Sequence, residues 1–238
     1  MDRDSLLSIF TCLDELYDSG KLFSCTLNSV VKGTGLAKGT VYKNFSSVND
    51  FYVLLFNRNL IRWGINGQKD CFTSALNPKE KLLAQIYLTT LKNQYSRVDN
   101  DIQYFVSIHG LMDCASHQYI HDTSLIYKKL KSINLASIRC MIERGYVDAT
   151  EDEIRRCIQT MKNYERGFTL NYDNKNINMF GCEDSLDMMK FEADILQTLN
   201  WNITDEISIS NVEEYCHSLA PRIVADTDYI EEMKLLSY

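Results

Sequence analysis

Apolar residues recur at helical spacing along almost the whole chain. Near the start, Leu6, Ile9, Phe10, Leu13, Leu16 and Tyr17 form one stripe, predicting a helix over about residues 5–18 with Gly20 as its stop. Leu27, Val30 and Val31 predict a short second helix, and Thr26 stands where its hydroxyl caps it. Gly33 and Gly35 interrupt the pattern. In the next short run Leu36, Val41 and Phe45 are apolar, while Lys38, Thr40, Tyr42, Lys43 and Asn44 are polar. Two short helices joined by a glycine-containing turn make a helix-turn-helix, whose second helix enters the DNA major groove. Ser47 with Asp50 three residues on reads as a capping box for a fourth helix, which Phe51, Leu54, Leu55, Arg58 and Ile61 carry toward Gly64.

Further on, Asn77-Pro78 suits a first helical turn, and Leu82, Leu83, Ile86, Tyr87 and Leu91 follow it. Ile102, Phe105, Val106, His109 and Met112 predict another helix. Leu125, Ile126, Leu130, Ile133, Ile138 and Ile142 predict a third, ending at Gly145. A helix over 151–172 carries Ile154, Ile158, Met161, Tyr164, Glu165 and Phe168. An asparagine-rich loop from Asn171 to Gly181 precedes one more helix, over about 185–202. Only two prolines and ten glycines among 238 residues leave long stretches without helix breakers, so the expected class is all-α.

Composition places the chain among ordinary globular proteins, with 45% hydrophobic and 24% charged residues. No apolar run reaches the ~20 residues of a membrane span. Met-Asp-Arg-Asp lacks the basic-then-apolar form of a signal peptide, so the expected location is cytoplasmic, with no membrane partner. Eight cysteines are scattered singly, as expected of reduced, mostly buried thiols.

Charge sharpens the picture locally. The formal net charge is -7, yet from Lys21 to Asn49 there are four lysines and no acidic residue. Lysine and arginine contacts with phosphates supply much of DNA affinity. Residues 204–238 do the reverse, with eight acidic and two basic residues. Val212, Tyr215, Leu219, Ile223, Ile230, Met233 and Leu236 still give that stretch apolar faces, as extra helices would need.

Gly20, Thr26, Leu27 and Val30, then Gly35-Leu36-Ala37-Lys38-Gly39-Thr40-Val41-Tyr42 and Phe45, closely resemble the N-terminal domain of the TetR family of bacterial transcriptional regulators. The match covers about the first sixty residues. It departs from the usual pattern at Ala37, where serine is common, at Val31, where a small alanine is common, and at Val48, where lysine is common. The resemblance implies an all-α fold with an N-terminal three-helix DNA-binding head over residues 1–47. A helix over 48–64 connects it to a larger effector-binding and dimerisation body over 65–238. It implies a homodimer on a palindromic double-stranded operator, probed by an unknown small-molecule effector, acting usually as a repressor. The helices over 151–172 and 185–202 resemble in position the pair that dimerises. Carried over to this sequence, the DNA-facing residues are Thr26, Lys38, Gly39, Thr40, Tyr42, Lys43 and Asn44, while Val41 and Phe45 face the core. A second reading keeps the fold and replaces the small molecule with a partner protein, as in an adaptor or activator.

An effector pocket in a helical bundle is mostly apolar with a few polar groups. Tyr87, Tyr104, Phe105, His109, Met112, Tyr127, Met161, Tyr164 and Phe168 are the candidates on body helices. Cys114, His117 and His121, spaced three and four apart, suggest a thiophilic metal but supply only three ligands, so no metal or cofactor is assigned. Phosphate-loop, Gly-x-Ser-x-Gly and His-Glu-x-x-His motifs are missing, and the chain is read as no enzyme.

Overall fold

The structure is a computed structural model that describes residues 1–108, 110–172, 185–226 and 229–236. The chain is all-helical: among the described residues there is no β-strand, and one isolated bridge pairs Val147 with Trp201. Its contacts divide it into two compact units. One gathers Met1–Arg62, Ser96–Lys129 and Thr227–Tyr238; the other gathers Trp63–Tyr95 and Leu130–Asp226.

The first unit opens with α1, Arg3–Asp18, capped by the Asp2 carboxylate, which accepts from the Ser5 amide at 2.8 Å. That cap starts the helix three residues before the apolar stripe. In α2, Leu27–Thr34, the Thr26 hydroxyl accepts from Ser29 N at 3.1 Å while Ser29 Oγ accepts from Thr26 N at 2.8 Å. Gly33 stays inside α2 rather than breaking it. A Cβ there would lie 2.4 Å from Cys12 Sγ, so glycine lets α2 approach α1. Gly35, at φ 68°, makes the break, and α3 follows as Lys38–Asn44. Ala37 precedes α3 and supplies no side-chain cap.

Next comes α4, Val48–Asn59, with Asp50 fully buried near its start. The Asp50 carboxylate accepts from Ser46 N at 2.7 Å and Ser47 N at 3.3 Å. It also accepts from the Ser116 amide at 2.6 Å and the Ser116 hydroxyl at 2.8 Å. One carboxylate thus holds the beginnings of two helices, because Ser116 immediately precedes α9, His117–Glu143. The helical path does not stop at Gly64, as the sequence pattern suggests. It continues as a π-helical segment, Leu60–Asn66, and then α5, Gly67–Thr73. Gly64 serves close packing instead: a Cβ there would meet a Leu130 methyl at 2.8 Å.

The first unit is completed by α8, Arg97–Ile108, a 3-10 turn at Leu111–Cys114, the N-terminal part of α9, and α13, Tyr229–Leu236. Phe45 packs on Phe51 and stacks on Tyr119, at ring-centroid distances of 4.5 and 5.5 Å. Arg58 of α4 is also buried, 3% exposed, and bonded through both terminal nitrogens to Asp14 at 2.8 and 2.6 Å. Its guanidinium also lies 3.5 Å from Asp99, which Arg62 approaches at 3.1 Å, and 4.8 Å above the Phe10 ring.

In the second unit, α6, Pro78–Thr90, has Asn77 as its cap, with Asn77 Oδ1 accepting from Lys79 N and Glu80 N, both at 3.0 Å. Around α6 lie α5, α7, Lys92–Tyr95, α10, Glu151–Tyr172, α11, Ser185–Gln197, and α12, Ile209–Asp226, and the unit also holds the C-terminal part of α9. Ile154, Cys157, Met161, Glu165 and Phe168 form the buried face of α10, so a glutamate interrupts an otherwise apolar stripe. The acidic stretch after residue 203 folds much as its apolar periodicity suggests. Val212, Cys216, Leu219 and Ile223 of α12 are buried in the core of this unit.

Candidate functional site

Short helices expose different residues depending on which positions their core claims. In α3 the core claims Val41 and Phe45, 0% and 1% exposed. The remaining positions therefore turn outward: Lys38, Gly39, Tyr42 and Lys43 are exposed, and Thr40 is half-buried. Lys38 Nζ lies 5.1 Å above the Tyr42 ring, and the Tyr42 hydroxyl donates to Asn28 Oδ1 at 3.0 Å. These two contacts hold the cation and the phenol beside each other. Thr26 is also exposed, but its oxygen is engaged as the α2 cap. Asn44 differs from its neighbours. Its side-chain amide donates back to Thr40 O at 2.8 Å, and its carbonyl accepts from Gln118 Nε2 at 2.9 Å and the Tyr119 hydroxyl at 3.1 Å. Asn44 thus ends α3 and ties that end to α9.

The nine aromatic, histidine and methionine candidates for an effector pocket divide between the units. Tyr104, Phe105, Met112 and Tyr127 belong to the first unit, and Tyr87, Met161, Tyr164 and Phe168 to the second. His109 lies outside the described residues. In the first unit Phe105 packs against Phe23 at 4.2 Å and Tyr52 at 5.1 Å, while Tyr127 is half exposed. In the second, Tyr87 and Met161 are fully buried, and Tyr164 meets Phe191 at 4.2 Å. Cys114 sits in the 3-10 turn and His117 and His121 on the first turns of α9, with their rings 6.4 Å apart. That segment begins α9. Among the described residues no three histidine, cysteine or acidic side chains come close enough to hold a metal ion.

Two polar groups escaped the sequence reading. In the first unit an open cavity of about 370 Å3 lies beside the end of α3, with Asp122 and Tyr229 in its wall. Burial pushes the Asp122 carboxyl up, with His121 pulling the other way. In the second unit Glu192 of α11 is fully buried, and neither carboxyl oxygen has a hydrogen-bond partner. Burial, and then the nearby Glu165, push its pKa up to about 9. The signal for Glu192 was present: it falls three or four residues from Met188, Met189, Ile195 and Leu196, within an apolar stripe. Nothing local marks Asp122 or Tyr229, which distant segments bring together.

No protein-family model matches the chain, and no curated protein matches it. Among solved structures, it is similar to the crystal structure of the superantigen PfiT, with a TM-score of 0.56 over 85% of this chain and 98% of that one. Only 12% of the aligned residues are identical. The likeness is one of fold.

Proposed function

We propose that the chain is a DNA-binding transcriptional regulator of the TetR type, acting as a homodimer on a palindromic operator and modulated by a small molecule. The observation that carries this reading is the outward face of α3. Lys38, Tyr42 and Lys43 are exposed there while Val41 and Phe45 are buried, within a stretch from Lys21 to Asn49 that has no acidic residue. Such a helix has the size, charge and hydroxyl groups to meet phosphates and base edges in a major groove. Gly39 leaves room for its backbone to approach. The repressor action and the dimer rest on the family resemblance. The exposed side of α10 carries Arg155, Arg156, Gln159, Asn163 and Arg166, so a dimer through that helix would meet largely through polar contacts.

The test is binding of the full chain to selected and random duplexes over a salt series. Specific, salt-sensitive binding is expected. Lys43→Ala should weaken it by about 1–3 kcal/mol and relax preference at one position per half-site if Lys43 reads a base. A uniform loss across sequences, with a shallower salt slope, places Lys43 on phosphate. A folded chain with no salt-sensitive affinity for any duplex rules the regulator out.

The likeness to a protein called a superantigen favours a second reading, in which this fold presents a protein-binding surface. Capture of a defined protein partner by a chain that ignores all duplexes would select that reading.

A further inference from the structure

The cavity in the first unit is bounded by α1, α4, the start of α9 and α13, and it reaches the last residue of α3. Its apolar surface comes from Leu6, Leu54, Ile230 and Met233. Gln118, Asp122 and Tyr229 interrupt that surface, and Met1 and Lys234 also line it, both exposed, with the Lys234 ammonium held by Glu231 at 2.7 Å. Tyr229 is 8% exposed, and its hydroxyl has no hydrogen-bond partner. Burial pushes the phenol's pKa up and the adjacent Asn57 amide pulls it down, but that amide's own bonds are to the Tyr119 carbonyl, to which it donates at 3.1 Å, and to the Thr123 hydroxyl, from which it accepts at 2.7 Å. A buried phenol without a hydrogen bond of normal geometry is costly unless something completes it. Beside it stands the partly buried Asp122 carboxyl, which forms no ion pair among the described residues and feels only the nearby His121, in a volume at the small end of the roughly 300–1,000 Å3 typical of ligand sites.

The geometry points to a binding site for a small apolar amine, its ammonium on Asp122 and the Tyr229 hydroxyl, its apolar body against Leu54, Ile230 and Met233. A cation answers the Asp122 charge, an N–H donor answers the phenol oxygen, and Leu6, Leu54, Ile230 and Met233 offer dispersion and apolar burial, while the Lys234 ammonium is already answered by Glu231. A carboxylate ligand would meet Asp122 as a like charge. A neutral alcohol would leave the charge unanswered. Because Gln118 and Tyr119 line the site and also hold the Asn44 carbonyl, an occupant acts directly on the end of α3. The effect on DNA depends on the regulator reading; the site itself does not.

The experiment is calorimetric titration of the full chain at neutral pH with phenethylamine, phenethyl alcohol and 3-phenylpropionate. Saturable binding of one amine per chain is expected, at least tenfold tighter than the alcohol, with no binding of the acid. Asp122→Asn should bring the amine down to the level of the alcohol. Met233→Trp, which fills the cavity, should abolish both, and Tyr229→Phe should weaken the amine severalfold. Circular dichroism and thermal melting of each variant establish that it is folded; if one of them is not, the other two carry the test. Non-saturable heats, preference for the acid, or amine affinity unchanged in the folded variants overturns the site. Amine binding lost in Asp122→Asn, in a chain that binds no duplex, keeps the site and removes the regulator.

Discussion

In the first unit Arg58 is buried against two carboxylates, Asp14 and Asp99, and lies over the Phe10 ring. In the second, Glu192 is buried against another carboxylate, Glu165, with neither of its oxygens hydrogen-bonded. Burial alone would lower the Arg58 pKa, but Asp99 and Asp14 outweigh it and hold the guanidinium charged. For Glu192 burial and the neighbour act in the same direction, and the group keeps its proton at neutral pH. Equal burial therefore leads to opposite outcomes. A charge survives inside the protein when its partners are opposite and hydrogen-bonded, and is neutralised when they are not.

The largest expected effect comes from breaking the matched cluster. Arg58→Leu leaves Asp14 without its cation and Asp99 with Arg62 alone, and should cost about 3–5 kcal/mol in urea unfolding. A loss under 1 kcal/mol would mean that the carboxylates find water or protons without strain.

Glu192→Gln should do the reverse. The folded pKa of about 9 lies above the unfolded value near 4.3, so the folded state holds a proton that the unfolded chain has released. Stability then falls as pH rises between those values, by up to about 1.4 kcal/mol per unit, and levels off above about 9. Glutamine removes that slope, so the variant should gain on the parent by about 3 kcal/mol at pH 7 and by less at pH 5. Unfolding curves at both pH values check the sign. A variant less stable than the parent at pH 7 would show that the carboxyl is satisfied.

The smallest effect belongs to Glu165→Gln. Burial raises the Glu165 pKa, while Lys92 and the Thr169 and Thr89 hydroxyls pull it down. Glutamine removes the neighbour that helps raise Glu192, so the Glu192 titration should move to lower pH, with stability changed by about 1 kcal/mol or less. Carboxyl carbon chemical shifts followed through the titration read this directly. An unmoved Glu192 midpoint would mean that burial alone keeps it protonated.

The parts of the fold legible in the sequence are those that local chemistry decides. Thr26 caps α2, Gly35 makes the turn into α3, and Val41 and Phe45 are buried because their four-residue spacing puts them on one face. The bounds of α10 also follow from the sequence alone. Distant contacts decided the rest. The start of α9 has no local signature, because the Asp50 carboxylate that anchors Ser116 lies far back in the chain. Gly64 looked like a stop, and only the Leu130 side chain beside it explains the glycine. Aromatic content along helices is blind to which unit a helix joins, so the effector candidates divide between the two units. Asp122 and Tyr229 share a cavity wall through an encounter of segments more than a hundred residues apart, which no periodicity announces.

The double grip of Asp50 also sets an order of events during synthesis. Its carboxylate finishes the start of α4 with two nearby amides but takes its other two donors from Ser116, 66 residues later. The Phe45 ring likewise waits for Tyr119, and the Asn44 carbonyl for Gln118 and Tyr119. At about 5–20 residues per second a ribosome takes roughly 3–13 s to deliver that stretch. Through that interval the first three helices can form their own turns, but a buried carboxylate and an aromatic face remain uncovered. The nascent chain is therefore most exposed to proteases and chaperones after its N-terminal motif has emerged, and becomes safe only when α9 arrives.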